Sequence, residues 1–144
     1  MTTLVSRNAL SVGSSRVRYA YDEGRVDPAD LPLEIAICAV TLAELTAGPH
    51  ATSDPAERAR RQDRLQRVES TFDPLPFDAA AARAYGRIYA AVTAAGRKAR
   101  GRRAVDLLIA ATALAAGLPL YTCNPDDVER LGGTLDVIAV QAGR

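Results

Sequence analysis

Short apolar runs alternate with longer amphipathic stretches along this chain. Residues 33–41 (LEIAICAVT), 118–122 (LPLYT) and 135–140 (LDVIAV) are rich in Ile, Leu and Val, which predicts buried strands, the first of them over 35–41. Apolar residues recur three or four positions apart over 79–96 and 104–117, and each stretch ends at a glycine, which predicts helices. Strands that alternate with helices predict an α/β fold with a central parallel sheet and helices on both faces.

A strongly charged stretch, 52–72, predicts a surface helix. Asp54 is a suitable N-cap, Pro55 suits the first helical position, and Glu57 stands three residues after the cap, as in a capping box. The stripe of apolar residues is thin and consists of Leu65, Val68 and Phe72. A shorter helix is predicted over 42–48, a basic loop over 97–103, and a turn over 124–133.

Length and composition predict one globular domain over 1–144. Apolar residues make up 48% of the chain, and the formal net charge of +1 favours no particular partner. Cys38 and Cys123 form no CxxC motif, residues 1–20 lack the apolar core of a secretion signal, and no apolar run approaches the roughly 20 residues of a membrane span. We therefore expect a cytoplasmic protein without a membrane partner.

Histidine usage excludes several kinds of site. His50 is the single histidine of the chain, so a Ser-His-Asp triad would have to use it. A zinc site would have too few Cys and His ligands. A metal in this protein would be held by oxygen atoms, which are the ligands of Mg²⁺, Mn²⁺ or Ca²⁺.

Acidic side chains lie at comparable ends of the predicted elements. Glu44 falls in the first turn after the first predicted strand, and Asp106 in the first turn of the helix 104–117. Asn124, Asp126 and Asp127 follow the strand 118–122. If these strands are parallel neighbours, the acids converge at one sheet edge, where a divalent cation would offset their repulsion. Taken singly, each also fits a helix-stabilising or turn role.

Two stretches, AVTLAELTAG (39–48) and GRRAVDLLIAATALAAGLPLYTCNPDD (101–127), resemble the PIN-domain ribonucleases, and more narrowly the VapC toxins of bacterial toxin–antitoxin modules. The resemblance runs from about Gly24 to Val140. It implies an α/β/α sandwich around a parallel sheet, and cleavage of RNA, often tRNA or rRNA, with Mg²⁺ or Mn²⁺. It also implies a homodimer and inhibition by a VapB-like antitoxin.

The resemblance assigns roles to individual positions. The catalytic positions are Glu44, Asp106, Asn124 and Asp127, and the metal ligands among them are Glu44 and Asp106. The positions assigned to RNA binding are Arg102, Arg103 and Thr122. Val128 stands where the family usually has phenylalanine, which is a small departure.

The first family motif, an apolar strand ending in an aspartate that binds metal, is not preserved. Residues 1–21 contain no Asp or Glu. One alignment places Ser6 at the aspartate position and another places Ser14 there; the second keeps the distance to Glu44 closer to the family pattern. Segment 1–18 is therefore atypical, through either degeneration of the gene or a shifted start.

The sequence thus predicts a metal-dependent endoribonuclease of the VapC type, impaired to some degree by the missing aspartate. A second hypothesis is an inactive PIN remnant that still binds an antitoxin or its own copy. A third is a non-enzymatic RNA-binding domain that uses the arginine-rich stretches. We rank the third lowest, because five tyrosines and two phenylalanines offer few side chains for base stacking.

Overall fold

A parallel sheet forms the centre of the molecule. The computed structural model describes residues 11–13, 21, 23–31, 34–123, 135–141 and 143. Within them the strands are β1 (Ser11–Gly13), β2 (Ile35–Ala36), β3 (Leu120–Thr122) and β4 (Val137–Ala139). Their order is β2-β1-β3-β4, and each neighbouring pair is parallel. The predicted parallel sheet is confirmed.

Four helices flank the sheet in the described ranges. They are α1 (Ala39–Ala47), α2 (Pro55–Thr71), α3 (Ala79–Ala94) and α4 (Arg102–Ala116). A 3₁₀ turn, Gly48–Ala51, follows α1 and leads into the segment before α2. Across these described ranges, no helix combines the length and the apolar character that a bilayer span requires.

Strand β3 shows that both faces of the sheet are covered. All three of its residues are buried, as expected for a strand between two layers. Leu120 joins a core with Val12 of β1, Ile88 of α3 and Leu107 of α4. The next residue, Tyr121, belongs to a separate cluster, with Val26, Leu31 and Val140. Because successive strand residues point to opposite faces, these clusters lie on the two sides of the sheet.

The strand predicted over 35–41 is too long. β2 ends at Ala36, and α1 begins at Ala39 with Cys38 in the N-cap position. Thr41, a β-branched residue that favours strands, is fully buried inside α1. Burial of the helix face against the core outweighs the weak local preference, so the expectation for residues 39–41 is wrong.

Helix α2 begins as predicted, but its cap differs in one respect. The Asp54 side chain accepts a hydrogen bond from the Ala56 N–H at 3.3 Å, and Pro55 is the first helical residue. The Asp54 N–H donates to the hydroxyl of Thr52 at 3.2 Å. Glu57 pairs with arginines further along α2, so the reciprocal bond of a capping box is replaced by a side-chain ion-pair network.

Helix α4 begins two residues earlier than predicted. Gly101, with a φ of +60°, occupies the N-cap, and the helix starts at Arg102. Arg102 and Arg103, expected in a basic loop, therefore form the first turn, which is consistent with the good helix propensity of arginine. Asp106 is displaced into the second turn, and Glu44 likewise lies beyond the first turn of α1. Because the helix macrodipole acts within the first turn, it does not explain Asp106.

The sheet also defines where the first motif would lie. β1 occupies an inner position between β2 and β3, and its Val12 is fully buried. It ends at Gly13, directly before Ser14, the position to which the second alignment assigns the family's aspartate. Ser6 and Ser14 lie outside the described residues, so the choice of alignment stays a prediction.

Substitution by alanine is expected to change the free energy of unfolding in opposite directions at two glycines. Gly117 ends α4 with a φ of +68°, whereas Gly86 lies inside α3 on its exposed face. An added Cβ meets no atom within 4 Å at either position, so backbone conformation decides the effect. We expect Gly117→Ala to lower the free energy of unfolding by about 1 kcal/mol, and Gly86→Ala to raise it by about 0.5–1 kcal/mol. Urea denaturation measures both, and equal effects would contradict the assigned left-handed cap.

Candidate active site

Glu44 lies beside a cavity of about 490 Å³ between α1, the 3₁₀ turn and α2. The residue is half-buried on α1, where its neighbour Leu45 packs into a cluster with Leu65 and Val68 of α2. The cavity lining carries five charged side chains: Glu23, Glu44, Glu57, Arg61 and Arg64. The predicted catalytic carboxylate therefore faces a polar, charged space that α2 closes on one side.

Asp106 lies at the margin of the main core. It is half-buried on α4, directly before the fully buried Leu107. Helix α4 packs on α3 and also contacts α1, the helix that carries Glu44. Because α4 precedes β3 and α1 follows β2 in a parallel sheet, both helices begin at the carboxyl edge of the strands. Ligands of open α/β sheets bind at this edge.

Glu44 and Asp106 are the described members of the predicted cation site. Within the described ranges, no group of three or more His, Cys, Asp or Glu side chains is arranged to hold a metal. Two carboxylates on contacting helices nevertheless match the chemistry of Mg²⁺, which is usually bound by one or two carboxylates and completed by water. Asn124 and Asp127, the other two predicted catalytic residues, lie outside the described residues.

The residues assigned to RNA binding have different environments. Arg103 is half-buried in the first turn of α4, and its Nη1 donates to the carbonyl of Lys98 at 3.2 Å. Arg102 begins the same helix, and its side chain lies outside the described set. Thr122 ends β3 and is only 6% exposed. Arg103 thus connects the helix start to the basic loop, and Thr122 lies beneath the surface of the sheet edge.

Arginines of α2 fix the wall of the cavity. The Arg61 guanidinium donates to the Glu57 carboxylate at 2.9 Å and to the carbonyl of Gly48 at 2.8 Å. Arg58 donates to the carbonyls of Pro49 and Thr52 at 3.2 and 3.1 Å. These bonds cross from α2 to the 3₁₀ turn and the residue that follows it, so they hold the chain after α1 against α2.

Arg64, one turn after Arg61, occupies a more enclosed position. Its side chain is 14% exposed, and its Nη2 lies 3.8 Å from Glu23 Oε1. The same Glu23 carboxylate makes a shorter ion pair, 2.6 Å, with Arg25. Arg64 therefore shares Glu23 with a closer cation.

The predicted site residues do not include Arg61 and Arg64, because the charges of this stretch are equally typical of a solvated surface helix. A usable signal was present in the spacing. Arg61 precedes Leu65 by four residues, and Arg64 precedes Val68 by four, so each stands on the border of the apolar stripe. Charged residues on such a border are partly enclosed by the neighbouring element.

The ion pairs of Glu57 predict a pH-dependent contribution to stability. Hydrogen bonds from Arg60, and then from Arg61, hold the pKa of the Glu57 carboxyl below its usual value. A carboxyl with a lowered native pKa stabilises the fold at pH above its unfolded pKa, and this stabilisation is lost as the pH falls through the lowered native pKa.

Comparison of wild type with Glu57→Gln checks this prediction. Melting temperatures are expected to differ slightly at pH 7, because exposed pairs contribute little, and to converge at pH 3. Glu69→Gln, the same change at an exposed position of α2, is the control. A gap for Glu57→Gln that widened on acidification would contradict the ion-pair assignment.

Sequence comparison relates most of the chain to proteins of known class. The PIN domain profile matches residues 12–133. The chain is 36% identical over 130 residues to Ribonuclease VapC5 of Mycobacterium tuberculosis, and this alignment covers 90% of this chain and 93% of that protein. It is 39% identical over 85 residues to Ribonuclease VapC8 of the same species, covering 59% of this chain and 74% of the relative.

Solved structures give the same result at the level of the fold. VapBC-5 of Mycobacterium tuberculosis, a member of the VapBC family of toxin–antitoxin systems, contains a chain that superposes with a TM-score of 0.77 at 34% identity. The match covers 93% of this chain and 99% of that one. VapBC2 of Rickettsia felis, bound to a DNA fragment, matches with a TM-score of 0.74 at 23% identity, over 91% of this chain and 98% of the other.

Proposed function

Because this chain belongs to the PIN-domain family and is of the VapC type, we propose that it is a metal-dependent endoribonuclease that acts as the toxin of a toxin–antitoxin pair. The two relatives found by sequence comparison are named as ribonucleases, which supports an RNA-cleaving activity. The observation that carries the proposal is the placement of Glu44 and Asp106. Both are half-buried carboxylates beyond the first turn of helices that contact each other and begin at the same sheet edge.

The proposed roles follow from this placement. Glu44 and Asp106 hold Mg²⁺ or Mn²⁺, directly or through water, and Asn124 and Asp127 complete the polar cluster. When bound, the cation would lower the pKa of a water molecule and offset the charge that develops at the phosphodiester. Half-burial of the two carboxylates strengthens their electrostatic interaction with a cation relative to fully exposed groups.

RNA binding is assigned to side chains around the start of α4. Arg102 and Arg103 hold phosphates, as arginines at nucleic-acid interfaces commonly do. The guanidinium of Arg103 has five N–H donors, and the Nη1 group donates to the carbonyl of Lys98. The burial of Thr122 favours support of the sheet edge over direct contact with RNA.

Cleavage of nucleic acid by the purified full chain tests the proposed function. The protein is incubated with Mg²⁺ and a pool of tRNA and rRNA, and in parallel with single-stranded DNA, and the ends of the products are mapped. We expect internal cuts in RNA and no cleavage of DNA. RNA that stays intact in the presence of folded protein would contradict the ribonuclease proposal and leave the inactive remnant.

The proposed partners are a VapB-like antitoxin and a second copy of the chain, and the proposed location is the cytoplasm. The antitoxin is supported by the solved relative of 34% identity, which comes from a VapBC system. Co-expression with a VapB-like protein, followed by size-exclusion chromatography with light scattering, tests the antitoxin and the second copy as partners. Elution of the chain as a monomer that does not retain the co-expressed protein would contradict these assignments.

A further inference from the structure

The α3–α4 loop, residues 95–101, lies at the same sheet edge as the proposed metal ligands. Helix α4 begins at the carboxyl edge of the strands, so the loop that precedes it is held at that edge. Asp106 follows Gly101 by five residues. Because an α-helix rises about 1.5 Å per residue, the loop ends about 7.5 Å from Asp106 along the helix axis. A long side chain of the loop can therefore reach RNA that is bound at Asp106.

Hydrogen bonds hold the α3–α4 loop at both ends. The Arg97 N–H donates to the carbonyl of Val92 in α3 at 3.1 Å. Towards the other end, the Arg103 guanidinium donates to the carbonyl of Lys98 at 3.2 Å. Between these two bonds, Ala99 is half-buried and packs against the main core. The backbone of the loop is thus ordered before RNA binds, which lowers the entropic cost of binding.

Lys98 and Arg100 are the exposed neighbours of Ala99 in this loop. The side chain of Ala99 packs into the core, and its two neighbours lie on the solvent side. Neither Lys98 nor Arg100 makes an ion pair with another residue of the described ranges, whereas Arg61 of α2 is paired with Glu57. The loop therefore presents two cations to a ligand at the sheet edge.

Charge differs between the surroundings of the two proposed metal ligands. Before Asp106, five of the seven residues 97–103 are Arg or Lys, and none is acidic. Beside Glu44, the cavity that α2 closes is lined by three carboxylates and two guanidiniums. The phosphates of RNA are repelled by carboxylates and attracted by the basic segment. This difference directs an RNA strand from the cleavage site towards the α3–α4 loop.

We propose that Lys98 and Arg100 bind phosphates of the RNA substrate next to the phosphodiester that is cut at Glu44 and Asp106, so that the RNA strand extends over the α3–α4 loop. This inference rests on the proposed ribonuclease function for the position of the cut. It adds two substrate contacts that precede the stretch 101–127, which resembles the family. Both side chains act on binding and contribute nothing to the chemical step.

RNA binding and RNA cleavage are measured separately to test this inference. The probe is a pool of tRNA labelled with fluorescein at its 3′ end. Its affinity for the full chain is measured by fluorescence anisotropy in the Asp106→Asn background, where RNA stays intact. The loop variant is Lys98→Gln/Arg100→Gln. The matched control is Arg83→Gln/Arg87→Gln, which removes the same charge from two exposed arginines of α3 outside the loop.

We expect the loop variant to weaken tRNA binding about tenfold and the control to change it less than twofold. The slope of log affinity against log salt concentration should decrease in magnitude by about 1.4–1.8 for the loop variant alone, as for two lost phosphate contacts. Lys98→Arg/Arg100→Lys retains both charges, so it should keep the slope and bind within about twofold of the wild-type affinity. With Asp106 intact, the loop variant should raise KM and leave kcat within about twofold.

The possible results separate this inference from the proposed function. Equal salt slopes for the loop variant and the control, or an equally large loss of affinity in Lys98→Arg/Arg100→Lys, would overturn the phosphate contacts. Cleavage by the wild type with unaltered binding in the loop variant refutes the contacts alone. The expected loss of binding in the loop variant, with no RNA cleavage by the wild type, would keep the contacts and refute the ribonuclease proposal. A wild-type chain that neither cuts nor binds tRNA would refute both.

Discussion

Asp106→Asn is expected to reduce metal-dependent RNA cleavage at least about a hundredfold while the chain stays folded. A hundredfold loss of the cleavage rate is a lower bound, because changes to residues that only support metal ligands already reduce metal affinity or activity about 10- to 100-fold. Asparagine has the shape of aspartate, and Asp106 lies at the margin of the core, so its loss of charge should leave the packing of α4 intact. Cleavage rates at saturating Mg²⁺ and far-ultraviolet circular dichroism measure the two effects.

The matched control is Asp63→Asn, which makes the same chemical change at an exposed position of α2. This variant should cleave RNA at the wild-type rate. Affinity for Mn²⁺, followed by its electron paramagnetic resonance signal, should fall in Asp106→Asn and not in Asp63→Asn. Cleavage by Asp106→Asn within threefold of the Asp63→Asn rate would remove Asp106 from the proposed metal site.

Leu107→Ala, one position further along α4, is expected to lower the stability of the fold and leave RNA cleavage intact, the reverse of what we expect for Asp106→Asn. Leu107 is fully buried in the core that joins β1, β3, α3 and α4. Truncation of a leucine in such a core removes buried apolar surface and leaves a cavity, at a cost of about 3 kcal/mol. For a chain of this size the melting temperature should fall by about 10 °C. Differential scanning calorimetry gives the midpoint directly.

Leu114→Ala is the matched control, because Leu114 lies on the same helix and is only partly buried. Its melting temperature should fall less than half as far. Well below its melting temperature, Leu107→Ala should retain cleavage activity, since the proposed metal ligands are untouched. Equal destabilisation by the two substitutions would contradict the assignment of Leu107 to the centre of the core.

Much of the fold could be predicted from the sequence, because its strongest signals are local. Asp54 caps α2 as predicted and accepts a hydrogen bond from the N–H group two residues later. Asp78 caps α3 in the same way and accepts from the N–H group three residues later. Gly96 and Gly117 follow the helices with positive φ. These features depend on one turn of backbone geometry, which residue type largely determines.

The prediction failed where tertiary packing decides the conformation. The apolar residues 39–41 fit a buried strand or a buried helix, and packing against the core selects the helix. At α4, Gly101 allows the helix to include Arg102 and Arg103, which composition alone assigned to a loop. Both errors shift Glu44 and Asp106 from the first helical turn to a later one, where a helix-stabilising role explains them less well.

The candidate site could be predicted only in its acidic part. Glu44 and Asp106 could be proposed because they recur at comparable positions of two elements and match family motifs. Arg64 could not, because its relation to Glu44 depends on how α2 packs against α1 and the turn Gly48–Ala51. Sequence separation hides such neighbours, and the charge of α2 alone is equally typical of a solvated surface.

The dependence of cleavage on Mg²⁺ tests the central claim most directly. The full chain is stripped of metal with EDTA and dialysed, and its initial rate of tRNA cleavage is measured over a range of Mg²⁺ concentrations, alongside Asp106→Asn. We predict no cleavage without metal, a rate that rises to saturation for the wild type, and no recovery for Asp106→Asn. Cleavage at an undiminished rate in EDTA, or an inactive wild-type chain at every Mg²⁺ concentration, would contradict a metal-dependent ribonuclease built on Glu44 and Asp106.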